Sequence, residues 1–223
     1  GQPPTAGTYV RYDHEALIGI LALEAYRARA IVVGEDLGTV EPWVRRYLRE
    51  RGILGTSILW FEFEFDSGGG PLRPEWWREY CLASVTTHDL PPTAGYLAGD
   101  HIRLRDSLGL LTRPLDEELA ADQAGRSAWL DELHRRGLLQ PDADVEETIH
   151  ALHRFLTWTP ARLLCASLSD AVGDRRTQNQ PGTIDEYPNW RVPLTGPDGK
   201  PLWLEDVLRS HRAAALAEVI RDG

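Results

Sequence analysis

Over its first ninety or so residues the chain alternates helix-like and strand-like segments without a hairpin signal, and that alternation dictates parallel pairing. Residues 15–29 place Leu17, Ile18, Leu21 and Ala25 at helical spacing, and residues 30–34 then read as a buried, β-branched strand. A second helix is expected next, capped by Thr39, with Pro42 tolerated in its first turn and Gly52 as its stop. Residues 57–63, dense in Ile, Leu, Trp and Phe, read as another strand. Gly68-Gly69-Gly70-Pro71 reads as a loop rather than a phosphate cradle, because no Lys-Ser/Thr follows at the required spacing. A short helix around residues 75–79 and a strand ending at Thr87 complete the third unit.

Beyond Asp89 the pattern turns wholly helical, with segments expected at 92–97, 115–136 and 145–156, so residues 92–157 read as a helical insertion. A strand at 163–168, a polar loop up to Asn189 and a last amphipathic helix over about 204–220 follow. Four strands are too few to close an eight-stranded β/α barrel, which needs about 250 residues. The chain is therefore an open α/β sheet or a part of a larger barrel.

Two of these strands end in acid. Ile31-Val32-Val33-Gly34 runs into Glu35 and Asp36, and Leu82-Ala83-Ser84-Val85-Thr86-Thr87 delivers His88 and Asp89 before Pro91-Pro92. The C-terminal tip of a parallel strand is where α/β enzymes hold their acids and bases. Three carboxylates and an imidazole at one rim point to acid–base chemistry on an oxygen-rich substrate. A glycosidic bond is the leading case, since its cleavage uses a pair of separated carboxylates.

Charge narrows the partners. The 24 Lys and Arg against 34 Asp and Glu give a net charge of -10, with no run of five basic residues to neutralise a phosphate backbone, so nucleic acid is not expected. No apolar run approaches the roughly 20 residues that cross a bilayer, and the first residues lack the basic and apolar regions of a signal peptide. A soluble, cytoplasmic chain without a membrane partner is the expectation. Cys81 and Cys165 are expected as buried free thiols. Trp60, Trp76, Trp77 and Trp190 are expected in the core, although each ring could stack on a sugar. His150 and His153 are expected on a solvated helical face, as are the alternating charges between Arg113 and Arg136.

The ordered motifs carry more. Gly7-Thr8-Tyr9-Val10-Arg11-Tyr12, Leu21-Ala22-Leu23-Glu24 and Gly34-Glu35-Asp36-Leu37-Gly38-Thr39-Val40 are followed by Thr86-Thr87-His88-Asp89-Leu90-Pro91, then by Asn179-Gln180-Pro181-Gly182-Thr183 and Tyr187-Pro188-Asn189-Trp190-Arg191. In this order they resemble the amylomaltase family of 4-alpha-glucanotransferases, also called disproportionating enzymes, over nearly the whole chain.

That resemblance implies a (β/α)8 TIM barrel of the α-amylase clan, of which this chain would be the C-terminal half. It also implies a retaining double displacement on α-1,4-glucans, with no cofactor or metal. Carried over by motif, Glu35 is the general acid/base and Asp89 the stabiliser of the transition state. His88 and Asp36 hold sugar hydroxyls, and Asn179 belongs to the loop after the eighth strand and to the substrate site.

Arg11-Tyr12-Asp13-His14 superficially resembles the Arg-x-Asp-His of the clan's nucleophile strand. Its flanks match the segment after that strand, however, and Asp13 is expected as a surface or helix-cap residue. The nucleophile is then expected outside this chain. Maltooligosaccharides, together with the N-terminal half of the barrel or a second copy, are the implied partners. The rival expectation is a non-catalytic glucan-binding or assembly fragment. An α/β hydrolase is disfavoured by the lack of Gly-x-Ser-x-Gly.

Overall fold

The computed structural model describes residues 4–8, 10–64 and 69–223. In chain order the main elements are α1 (His14–Ala28), α2 (Pro42–Glu50), β1 (Gly55–Ile58), β2 (Cys81–Ser84), α3 (Thr93–Ala98), α4 (Asp100–Ser107), α5 (Leu115–Arg135), α6 (Val145–Thr157), β3 (Leu163–Cys165), α7 (Leu168–Val172), α8 (Leu204–Leu208) and α9 (His211–Arg221). The strands form a three-stranded parallel sheet in the order β1-β2-β3. Four helices separate β2 from β3, which is the connection a parallel pair requires.

The chain divides into two compact units, residues 1–56 with 80–82 and residues 57–79 with 83–223. In the first, Asp13 caps α1 by accepting the Ala16 N–H at 3.1 Å, as its position before a Leu-rich helix leads one to expect. The cap expected of Thr39 does not form: α2 begins two residues later, with Glu41 at the N-cap, no side-chain cap bond and Pro42 in the first turn. Gly52 ends the turn after α2 with φ 72°, a backbone that only glycine adopts freely.

The strand expected at 30–34 is reduced to one parallel bridge between Val33 and Leu54, made by Gly34 N–H to Leu54 O at 2.8 Å and Leu54 N–H to Val32 O at 3.0 Å. Ile31 stays 68% exposed. Among the described residues this segment has a bridge on one side alone, and a parallel strand persists only where neighbours cover it.

In the second unit a helical core gathers around α5 and α6. Trp129, Leu133, Ile149, Leu152, Phe155 and Leu156 are buried, and the Trp129 and Phe155 rings meet edge to face with centroids 5.1 Å apart. The alternating charges of α5 therefore do not all face water: Glu118 and Glu132 are buried and held by Arg113 and by Arg135 and Arg136. His153 is also buried rather than solvated, its Nδ1 2.8 Å from Ile149 O. Trp60 and Trp77 join the core as expected, whereas Trp76 and Trp190 are exposed. Cys81 is buried, whereas Cys165 is exposed rather than buried as expected.

Two further differences come from caps. The apolar run at 163–168 stops being strand at Cys165 because Ser167 accepts the Asp170 N–H and opens α7. The last helix is two, since Ser210 caps α9 after α8 has ended. Among the described residues no helix is long and apolar enough to cross a membrane.

Candidate active site

The expected site residues fall into two groups. Glu35 and Asp36 belong to the first unit; His88, Asp89 and Asn179 belong to the second.

Glu35 is exposed just past the Val33 bridge, and its Oε1 accepts the N–H of Leu37, a backbone contact that steadies the carboxylate. Asp36 points the other way. It is 2% exposed, and its Oδ1 accepts the Thr56 N–H at 2.9 Å while Oδ2 lies 3.4 Å from Arg45 Nε. Thr56 Oγ1 donates to Gly34 O at 3.3 Å, so this carboxylate and one hydroxyl join the Gly34-Glu35-Asp36 turn to β1. Such a buried carboxylate, hydrogen-bonded and paired, holds the turn that presents its neighbour.

His88 and Asp89 are delivered by a turn that hydroxyls build. Ser84 Oγ donates to Thr86 O at 2.9 Å, Thr86 Oγ1 donates to Pro91 O at 2.8 Å, and Thr87 Oγ1 accepts the Asp89 N–H at 3.3 Å. The side chains they deliver stay open to solvent, 61% for His88 and 52% for Asp89. Asp89 Oδ2 lies 3.5 Å from His88 Nε2, and Asp89 Oδ1 accepts from Asn179 Nδ2 at 2.6 Å. Three of the five expected residues thus form one cluster, across 90 residues of sequence.

The loop carrying Asn179 is built residue by residue from its motif. Gln180 N–H donates to Asn189 Oδ1 at 2.7 Å, Asn189 Nδ2 donates to Thr183 Oγ1 at 2.8 Å, and Tyr187 Oη donates to Thr177 O at 2.7 Å. Burial raises the Tyr187 pKa above the ordinary phenol value, which keeps that hydroxyl a donor. Asp174, fully buried, accepts the backbone N–H of Arg176 and of Thr195, at 2.9 and 2.8 Å.

A row of contacts fastens this loop to the segment after Asp89. Thr177 Oγ1 donates to Leu90 O at 3.4 Å, and Asp170 takes both the N–H and the hydroxyl of Thr93. Gly95 packs so closely on Arg175 that a Cβ built there would lie 2.1 Å from Arg175 O.

Trp190 is a neighbour that sequence reasoning assigns to the core. It is 63% exposed, its ring centroid 5.2 Å from that of His88. The signal that could have found it is its place at the end of the Tyr187-Pro188-Asn189-Trp190 run, whose preceding asparagine braces the Asn179 loop.

A family model described as 4-alpha-glucanotransferase matches residues 1–198. The chain belongs to that family. It is 69% identical over 225 aligned residues to the 4-alpha-glucanotransferases of Mycobacterium tuberculosis and Mycobacterium bovis, covering 99% of this chain and 31% of each of those proteins. A 4-alpha-glucanotransferase of Haemophilus influenzae is 30% identical over 206 residues.

Among solved structures, the amylomaltase of Corynebacterium glutamicum superposes with a TM-score of 0.91 at 46% identity, over 98% of this chain and 32% of that one. The amylomaltase of Streptococcus agalactiae, solved in complex with acarbose, gives a TM-score of 0.62 at 18% identity over 96% of this chain and 35% of that one, a likeness of fold. This 4-alpha-glucanotransferase-family chain thus spans about a third of the length of the relatives it matches.

Proposed function

We propose that this chain supplies the acid/base and the transition-state stabiliser of a 4-alpha-glucanotransferase that moves α-1,4-glucan segments between maltooligosaccharides. In this reading it is the C-terminal half of a (β/α)8 barrel, with residues 92–157 as a helical insertion. The nucleophile is assigned outside this chain on the motifs that flank Asp13, a reading that the Asp13 helix cap supports. Family membership and the 69% identical relatives support the activity. The single observation that carries the site is the Asn179–Asp89 hydrogen bond beside His88.

The chemistry follows from the groups present. A carboxylate nucleophile attacks the anomeric carbon while Glu35 gives its proton to the departing glycosidic oxygen, leaving a covalent glycosyl-enzyme. Asp89, held by Asn179, faces the positive charge that develops on the sugar ring. Glu35, now a carboxylate, takes the proton of an acceptor 4-hydroxyl as that oxygen attacks the anomeric carbon and releases the nucleophile. His88 and Asn179 bind hydroxyls of the reacting sugar, and Asp36 sets the orientation of the Glu35 turn.

Maltotriose disproportionation by the full-length protein tests this reading. Glucose and longer maltodextrins are expected from the wild type, with Glu35→Gln and Asp89→Asn each slowing their release by about a hundredfold or more. Folded variants with wild-type rates would overturn the assignments, and a folded wild type that transfers nothing would overturn the activity.

A further inference from the structure

Trp190 combines three properties that a packing role does not account for. Its backbone is left-handed, with φ 60°, a conformation that costs a bulky L-residue about 1–2 kcal/mol. The indole returns no core burial for that cost, being 63% exposed. The strained conformation is nevertheless held firmly: Trp190 N–H donates to Gln178 O at 2.9 Å and Arg191 N–H to Pro188 O at 2.9 Å, while the preceding Asn189 is locked to Gln180 and Thr183. Strain that the surroundings maintain, on an exposed aromatic, is a mark of a binding surface.

The location names the ligand class. The ring is tilted 44° to His88, next to the Asp89–Asn179 pair, so a flat apolar face borders a polar, hydroxyl-binding edge. A pyranose presents the same combination, C–H groups on its faces and hydroxyls around its rim.

We infer that Trp190 is a substrate-contacting residue on which a glucose unit of the α-glucan stacks while His88 and Asn179 engage its hydroxyls. The left-handed backbone is the device that turns the indole toward that edge. The inference rests on the transfer reading above and adds to it a stacking platform and a source of preference for sugars with an unobstructed C–H face.

Two substitutions in the full-length protein test it. Trp190→Asn removes the ring and accepts the left-handed backbone more readily, whereas Trp190→Phe keeps an aromatic face. With maltotriose, Trp190→Asn is expected to raise KM about three- to tenfold, with kcat within about twofold and no lower melting temperature. Trp190→Phe is expected to keep KM near the wild-type value. An unchanged KM in Trp190→Asn overturns the platform, as does a fall in melting temperature and kcat at constant KM, which is the pattern of a packing residue. Absence of transfer in the wild type overturns both the platform and the activity, and is read from the wild type alone.

Discussion

Thr93 and Asp170 are joined by two parallel hydrogen bonds, Thr93 N–H to Oδ1 and Thr93 Oγ1 to Oδ2, each 2.7 Å and both out of contact with water. Thr93 opens α3 shortly after Asp89, and Asp170 lies in α7 shortly before the loop of Asn179. The pair therefore ties together the two segments that bring Asp89 and Asn179 into contact. Asp170→Ala leaves both buried Thr93 donors without this acceptor and is expected to destabilise the protein by about 1–3 kcal/mol in urea unfolding. Maltotriose transfer is expected to fall with it, while Thr93→Ser, which keeps both donors, retains most of the activity.

Gly95 tests the same joint by volume. With a Cβ 2.1 Å from Arg175 O, Gly95→Ala must push the 175–179 backbone away and is expected to cost about 1–3 kcal/mol. Gly125, inside α5 with nothing within 4 Å of its would-be Cβ, is the control: Gly125→Ala is expected to stabilise by about 1 kcal/mol. Equal effects at both glycines in thermal melts would contradict the close approach.

Asn179→Asp replaces the donor at 2.6 Å from Asp89 with a second carboxylate. Two carboxylates at this distance share one proton, which raises the pKa of one of them. Below that raised pKa the shared proton restores a hydrogen bond to Asp89 like the one the amide made; above it both groups are charged and repel. The pH optimum of transfer by this variant is expected to move to lower pH than in the wild type, with activity reduced most on the alkaline side. A pH–rate profile that keeps its shape would count against a working Asn179–Asp89 contact.

Asp36 separates holding a turn from holding a sugar. Asp36→Ala leaves the buried Thr56 N–H without this acceptor, at an expected cost of about 1–3 kcal/mol. If Asp36 acts through the Glu35 turn, kcat falls while KM for maltotriose stays within about twofold. A rise in KM with kcat unchanged would assign it to substrate contact instead.

Much of this is legible in the residues. α1, α5 and α6 follow from apolar spacing within a residue or two of their ends, and the acids that follow the apolar runs single out Glu35, Asp36, His88 and Asp89 as candidates, of which the structure brings His88 and Asp89 together. Asn179 is reachable only through the family motif, because its partner is remote in sequence and no local pattern announces a contact between loops. α4 escapes because it has a single buried apolar residue, Ile102, and hence almost no periodic signal. α7 escapes because an apolar run carries on past Cys165, and only the Ser167 cap marks the change. Trp76 and Trp190 are misplaced in the core by composition, which reports how apolar a side chain is and not which way its backbone turns it. Asp13 is placed correctly by its flanks, although its motif suggests a nucleophile.

The sequence distance between Asp89 and Asn179 gives their contact a cost that no contact within one helix carries. All of α3 to α7 lies between them, so the contact closes a 90-residue loop and carries the chain entropy of doing so. Asp89 emerges from the ribosome ahead of its partner, so the acid turn stays unbraced until the 90 residues up to Asn179 have followed it. In refolding, recovery of transfer activity is therefore expected to lag recovery of helix content followed by circular dichroism.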